Sequence, residues 1–196
     1  DGRIDACIVR VLSSRADAGG LALAQAQGLP TTVIESASFA DRAAYDAALA
    51  AQLEQDQPDI VVLAGFMRIL TPAFVVRWLG RLLNIHPSLL PRHPGLHTHQ
   101  RALEAGDREH GATVHFVTAE LDAGPGIIQG KLNVRAEDTA DALADRVMQD
   151  IELKIYPQAL SWLVKGDIIW REGVVLFRGQ PLLSPLGFSA MDPAFL

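Results

Sequence analysis

Cysteine is almost absent: Cys7 is the only one in 196 residues. A single thiol closes no disulfide within the chain and supplies no thiolate set for zinc, and it fits a reducing cytoplasm. Basic charge is also scarce. Seventeen Lys and Arg stand against 23 Asp and Glu, a net charge of −6, which argues against an extended nucleic-acid surface. Long apolar runs are missing. Stretches such as Ile60–Ala64 fall far below the roughly 20 residues that span a bilayer as a helix, so neither nucleic acid nor membrane is expected as a partner. The opening residues, Asp-Gly-Arg-Ile-Asp, do not form a signal peptide. No Gly-x-Gly-x-x-Gly follows a strand, which counts against a dinucleotide enzyme.

What is present is ordinary globular composition, 49% hydrophobic and 20% charged, with enough length for a real core. Cys7–Leu12 reads as a buried strand and Leu21–Gln27 as a short helix stopped by Gly28 and Pro30. Thr31–Ile34 is a second strand. Asp41–Asp56 is a long helix with Tyr45, Leu49 and Leu53 on one face. Ile60–Ala64 has the continuous apolar character of a strand buried on both faces. Pro72–Leu79 is a helix, Leu82–His86 a strand, and Gln100–Ala105 a helix closed by Gly106. Ala112–Thr118 alternates as a half-buried strand, and Ile127–Val134 is another. Thr139 caps a helix that turns Leu143, Val147 and Ile151 inward and that Pro157 interrupts. Ile168–Trp170 and Val174–Phe177 form a terminal hairpin. This order predicts an α/β, doubly wound and mostly parallel sheet with an antiparallel or mixed extension. Residues 1–183 are expected to form one domain, and 184–196 a loosely packed tail.

The chemistry concentrates in residues 83–99, Leu-Asn-Ile-His-Pro-Ser-Leu-Leu-Pro-Arg-His-Pro-Gly-Leu-His-Thr-His. An apolar strand ends there in polar residues and breaks at a proline, the place where open α/β sheets put their sites. Asn84 and His86 alternate with Ile85, so a strand points both to one face. An amide N–H and an imidazolium together suit a developing oxyanion, and the carboxylate of Asp122 could orient and charge the imidazole. The residues alone equally allow His86 to cap a strand and Asp122 to sit in a surface turn. A metal held by the cluster of His86, His93, His97 and His99, of which His97 and His99 alternate as on a strand, is disfavoured by Pro94 and Gly95 and by the lack of completing ligands. Ser88 has no nucleophile elbow and reads as a loop-shaping hydroxyl. Met67, Ile69 and Leu70 suit either core packing or a flat slot for an aromatic ligand. Arg42 and Arg68 are solvated charges or holders of a carboxylate tail, and Glu152 reads as a surface residue.

Together, Asn84-Ile-His-Pro-Ser-Leu-Leu-Pro, Leu121-Asp122 and Gly124-Pro125 resemble the folate-dependent formyltransferases. Ala64–Leu70, Pro94–His99 and His115–Thr118 narrow the resemblance to the branch acting on glycinamide ribonucleotide. The resemblance implies a Rossmann-like fold and a cytoplasmic enzyme of purine biosynthesis, monomeric or homodimeric. It would pass the formyl group of 10-formyltetrahydrofolate to the ribonucleotide amine by direct attack, without a metal. It further implies that His86 acts as general acid and stabilises the oxyanion, that Asn84 donates to the same oxygen, and that Asp122 raises the His86 pKa and helps move protons through water. By the same resemblance Arg42, Met67, Arg68, Ile69, Leu70 and Asn84, with Thr118, Ala119, Glu120, Leu121 and Asp122, surround the folate. Gln149 and Glu152 help hold the ribonucleotide. Formyltetrahydrofolate hydrolases, methionyl-tRNA formyltransferases and a silent folate-binding module are the alternatives. Pro94–His99 speaks against the first two, and the intact Asn84, His86 and Asp122 set against the third.

One departure carries its own expectation. The family pattern opens with a strand, a Gly/Ser/Asn turn that binds the substrate phosphate at a helix N-terminus, and that helix. The present sequence begins after them. A segment ahead of residue 1 is therefore expected in the working protein. Without it the sheet should have a gap with unpaired apolar edges, and the chain should be poorly soluble and bind its substrates weakly.

Overall fold

Two crossovers build the first half of the molecule. β1 (Val11–Ser13) runs through α1 (Gly19–Ala26) to β2 (Thr31–Val33), and the two strands pair in parallel. The structure, a computed structural model, describes residues 2–196. α2 (Arg42–Asp56) starts where the Asp41 carboxylate accepts from the Ala44 N–H and ends at Gln57 in a left-handed conformation. Those two caps satisfy one of the donors and one of the acceptors a helix leaves open at its ends. β3 (Val61–Leu63) leads through α3 (Pro72–Arg77), capped by Thr71, to β4 (Leu82–His86), again parallel. The sequence-based expectation of parallel crossovers over this half holds.

After β4 the pairing reverses. α4 (Thr98–Glu104) is followed by β5 (Glu109–Phe116) and β6 (Gly126–Asn133), both antiparallel, and the sheet order is β3-β4-β5-β6. A bulge between Val114 and His115 shifts the β5–β6 register. It accompanies two successive residues, Ile127 and Ile128, that are both fully buried, which the two-residue period of a regular one-sided strand would not allow. α5 (Ala140–Val147) and α6 (Leu153–Lys165) cover this sheet, joined by a single wide turn over Met148–Glu152. The interruption expected at Pro157 lies ahead of it, in that turn. β7 (Ile168–Arg171), β8 (Val174–Phe177) and β9 (Gln180–Pro181) close the chain as an antiparallel ribbon.

Three expectations are corrected. The Cys7–Leu12 strand is shorter and shifted, and Cys7, Ile8 and Val9 are exposed. β3 is not buried on both faces: Val62 is 42% exposed. Among the described residues no ladder joins the β1–β2 pair to β3, so these apolar strands end a sheet instead of filling its middle. The tail is not loose. Leu186 donates to the Ile127 carbonyl at 2.9 Å and accepts from Gln129 at 2.8 Å, Met191 and Phe195 are buried, and the Asp192 N–H donates to Gln158 at 2.7 Å. Apolar residues spaced along a Pro- and Gly-rich segment packed it where helix periodicity was absent.

Candidate active site

The register of β4 sets the site. Asn84 lies between Leu63 of β3 and His115 of β5, and His86 lies opposite Thr113. Both functional side chains thus issue from the strand that joins the parallel and antiparallel parts of the sheet.

His86 is buried, and each of its ring nitrogens has a defined neighbour. Nε2 lies 2.9 Å from the carbonyl oxygen of His93. Nδ1 lies 3.4 Å from Asp122 Oδ2. That carboxylate oxygen also accepts from the Gly95 N–H at 2.8 Å. Asp122 holds a φ of 51°, a left-handed conformation that Asp tolerates better than most side chains. The loop carrying it must also press against β5. A Cβ on Gly124 would sit 1.8 Å from the Phe116 carbonyl oxygen, so only glycine lets the loop close there.

His115 was quoted in the sequence motif but given no role, and the structure places it in the site. Its Nδ1 lies 2.9 Å from the Phe116 carbonyl and its Nε2 lies 3.2 Å from Asn84 Nδ2. Burial pushes its pKa down, against smaller opposing effects of the Phe116 carbonyl and Asp122, so the ring is neutral at pH 7. A carbonyl only accepts, so Nδ1 carries the ring's one proton and Nε2 must accept. The Asn84 amide is therefore turned with its NH₂ toward His115, and its second N–H is left for a ligand. The β5–β6 bulge falls at this residue, consistent with bulges re-aiming side chains at sites.

A cleft opens beside these groups. Its walls include Phe66, Ile69, Leu70 and Val117, together with Asn84, His115 and the whole run Thr118–Asp122. Arg68 lines it too, with its guanidinium 4.9 Å from the Tyr45 ring centroid and 3.0 Å from Ser36 Oγ. Ile69 is half exposed on the cleft wall, whereas Leu70 lines the cleft and is also buried in the core cluster with Tyr45 and Phe74. Not every residue assigned to the folate joins it. Met67 is 74% exposed and outside the lining, and Arg42 is exposed on the first turn of α2. His86 also stands outside the lining, one layer behind Asp122. Gln149 and Glu152 lie on the wide turn before α6, also outside the cleft. Burial raises the pKa of Glu152, so it is not the fully solvated surface residue that its sequence context alone suggested. Ser88 is buried, and its hydroxyl donates to the Arg92 carbonyl at 2.6 Å, the loop-shaping role expected of it. Among the described residues no group of three or more His, Cys, Asp or Glu is arranged to hold a metal ion, and no helix is long and apolar enough to cross a membrane.

Comparison with known proteins identifies the family. The formyl transferase family matches residues 1–160. The phosphoribosylglycinamide formyltransferase of Escherichia coli K12 is 49% identical over 195 residues, covering 95% of this chain and 91% of its own. The enzyme of the same name from Haemophilus influenzae is 41% identical, covering 92% and 85%. Among solved structures, the phosphoribosylglycinamide formyltransferase of Coxiella burnetii in complex with CHES superimposes with a TM-score of 0.85 at 44% identity, over 92% of this chain and 85% of that one. A match of this extent, with Asn84, His86 and Asp122 gathered at one end of β4, shows that the chain belongs to the formyl transferase family.

Proposed function

We propose that this protein transfers the formyl group of 10-formyltetrahydrofolate to the primary amine of glycinamide ribonucleotide, a step of purine biosynthesis. The observation that carries the reading is the convergence of a free amide N–H on Asn84, the imidazole of His86 and the carboxylate of Asp122 beside an apolar cleft. The names of the relatives supply the substrate class.

The pterin ring would occupy the slot between Ile69, Leu70 and Val117 and the Thr118–Asp122 loop. The amine nitrogen attacks the formyl carbon, and its C=O electrons move to oxygen. The Asn84 N–H donates to that oxyanion, the kind of preorganised contact worth several kcal/mol in a dry site. The attacking nitrogen loses a proton, N10 of the folate gains one, and the bond from carbon to N10 breaks as the C=O re-forms. His86 and Asp122 handle these protons, with Asp122 on the cleft wall and the His86 Nδ1 behind it. Gln149 and Glu152 would hold the ribonucleotide from the turn before α6. Arg68, already on the cleft rim, suits the folate's carboxylate tail better than the more remote Arg42.

The test mixes the protein with a 10-formyl folate, with and without glycinamide ribonucleotide, and follows deformylation of the folate. Turnover that requires the ribonucleotide is expected. Turnover to free formate without it would overturn the transferase reading in favour of a hydrolase.

A further inference from the structure

The buried side of His86 faces a group of residues that the proposed reaction leaves without a task. His93 sits in the loop between β4 and α4 with a φ of 53°, a left-handed conformation that costs a β-carbon-bearing residue about 1 kcal/mol or more unless its surroundings hold it. Here the surroundings do hold it. The His93 Nε2 lies 2.7 Å from Asp107 Oδ2, and that carboxylate, its side chain 5% exposed, also pairs with Arg92. Just upstream, Ser88 Oγ donates to the Arg92 carbonyl, and Thr113 Oγ1 on β5 donates to the Ser88 carbonyl at 2.7 Å. Just downstream, the Arg101 guanidinium donates to the Pro94 carbonyl. The loop is thus pinned on both sides of one peptide group, whose carbonyl oxygen lies 2.9 Å from His86 Nε2.

We infer that His93 and Asp107 are positioning residues for His86: their pair aims the His93 carbonyl at Nε2 and confines the proton that His86 gains and loses to Nδ1. A carbonyl oxygen has no proton to give, so Nε2 must carry one whether the ring is neutral or charged. The neutral ring then has its lone pair on Nδ1, the nitrogen that faces Asp122, whose side chain lines the cleft. The other titratable groups around His86 do not compete for Nε2. His115 approaches from β5 and is committed to Phe116 and Asn84. His99 on α4 is paired through Nδ1 with His110 Nε2 at 3.0 Å. A free imidazole in water exchanges between two tautomers, so holding one of them removes an unproductive population before substrate arrives.

The kinetic part of this inference rests on the proposed function, but its central claim does not. Nitrogen-15 spectra of histidine-labelled protein report which ring nitrogen is protonated, with no substrate present. Wild type is expected to show His86 with Nε2 protonated in the neutral form. A spectrum with Nδ1 protonated would overturn the inference at once, whatever the activity. In His93→Gly, which keeps the carbonyl and suits the left-handed backbone, and in Asp107→Asn, His86 should show both tautomers. There kcat should fall about tenfold while KM for either substrate stays within twofold. His93→Gln places an amide nitrogen near the position of the ring Nε2 and should return both the tautomer and kcat toward wild type. If both disruptive variants retain a single Nε2-protonated tautomer and kcat within twofold, or if His93→Gln behaves like His93→Gly, the inference fails.

Discussion

The two halves of the sheet differ in how completely they are buried. From β4 onward, the strands and α5–α6 enclose a core in which Leu83, Val114, Phe116, Ile127, Leu143, Ile155 and Trp162 are wholly inaccessible. Before β4, the second cluster, formed by Tyr45, Leu49, Leu53, Phe74 and Trp78, retains slight exposure throughout, and Ile8, Val9 and Val62 face outward. The site straddles this divide. His86, Asp122 and His115 are held from the well-packed side, whereas Phe66, Arg68, Ile69 and Leu70 shape the cleft from the lighter side. The contrast suggests a division of labour, with chemistry positioned by the rigid half and ligand embrace supplied by the half with less packing to hold its shape.

The largest expected effect would break that division if it failed. His86→Ala and Asp122→Asn should each lower turnover by about two to four orders of magnitude, the usual range for a positioned proton-transfer group, while folate affinity stays within a few-fold. Steady-state kinetics and equilibrium binding check this together. A large loss of binding with turnover intact would move these residues to the embracing side. Next in size is a pair of truncations in the two halves. Phe116→Ala, at a fully buried site, should cost about 3–5 kcal/mol of unfolding free energy. Val62→Ala, at a strand edge, should cost within about 0.5 kcal/mol. Denaturant titration of both measures the contrast directly.

Much of this layout was readable beforehand, for identifiable reasons. β4 was placed from Leu82 to His86 because its boundaries are chemical: an apolar run ends at a histidine and then a proline. α2 was legible through its 3.6-residue apolar stripe. The chemistry of His86 and Asp122 allowed a pairing and the resemblance selected it, since 36 positions separate them and no local pattern encodes a contact made through loop closure at Gly124. The role of His115 was hidden for the opposite reason. An alternating strand predicts which face a side chain takes, but the bulge beside it and the tautomer of its ring are tertiary facts. Among the described residues, the gap between the β1–β2 pair and β3 matches the unpaired apolar edges expected of a sheet without its opening strand; the expected burial of Cys7–Leu12 and of both faces of β3 did not follow, because apolar composition predicts a demand for burial and not the neighbour that meets it.

All six histidines lie between residues 86 and 115, so acid should act on the two halves unequally. Burial pushes His110 down to about 4, with further lowering by the His99 and His93 charges. It also lowers His99 and His115. Each of these rings is neutral when folded and becomes protonated when unfolded once the pH drops below about 6.5. Their contribution to stability is therefore present above pH 6.5 and is lost as pH falls toward 4, with a slope of at most about 1.4 kcal/mol per pH unit per group. His110→Gln, which keeps a donor for His99, should flatten that slope in denaturant titrations repeated across the window. An unchanged slope would shift the acid sensitivity to groups elsewhere.

The smallest expected effect on kinetics sharpens the comparison from the lighter half. Asp46 is buried on α2, and its Oδ2 accepts from the Thr71 N–H at 2.6 Å. That hydrogen bond ties the start of α3 to α2 and so anchors one end of the segment that brings Phe66, Arg68, Ile69 and Leu70 to the cleft wall. Asp46→Ala leaves the half-buried Thr71 amide without its protein partner, at a cost of about 1 kcal/mol, and the segment can relieve part of it by moving outward. Nothing on the His86 side shares this bond. If the lighter half serves binding, KM for the folate should rise about three- to tenfold, with kcat and KM for the ribonucleotide within twofold. If kcat falls instead, the lighter half also positions the reacting groups, and the divide at β4 is a difference in packing that does not separate two tasks.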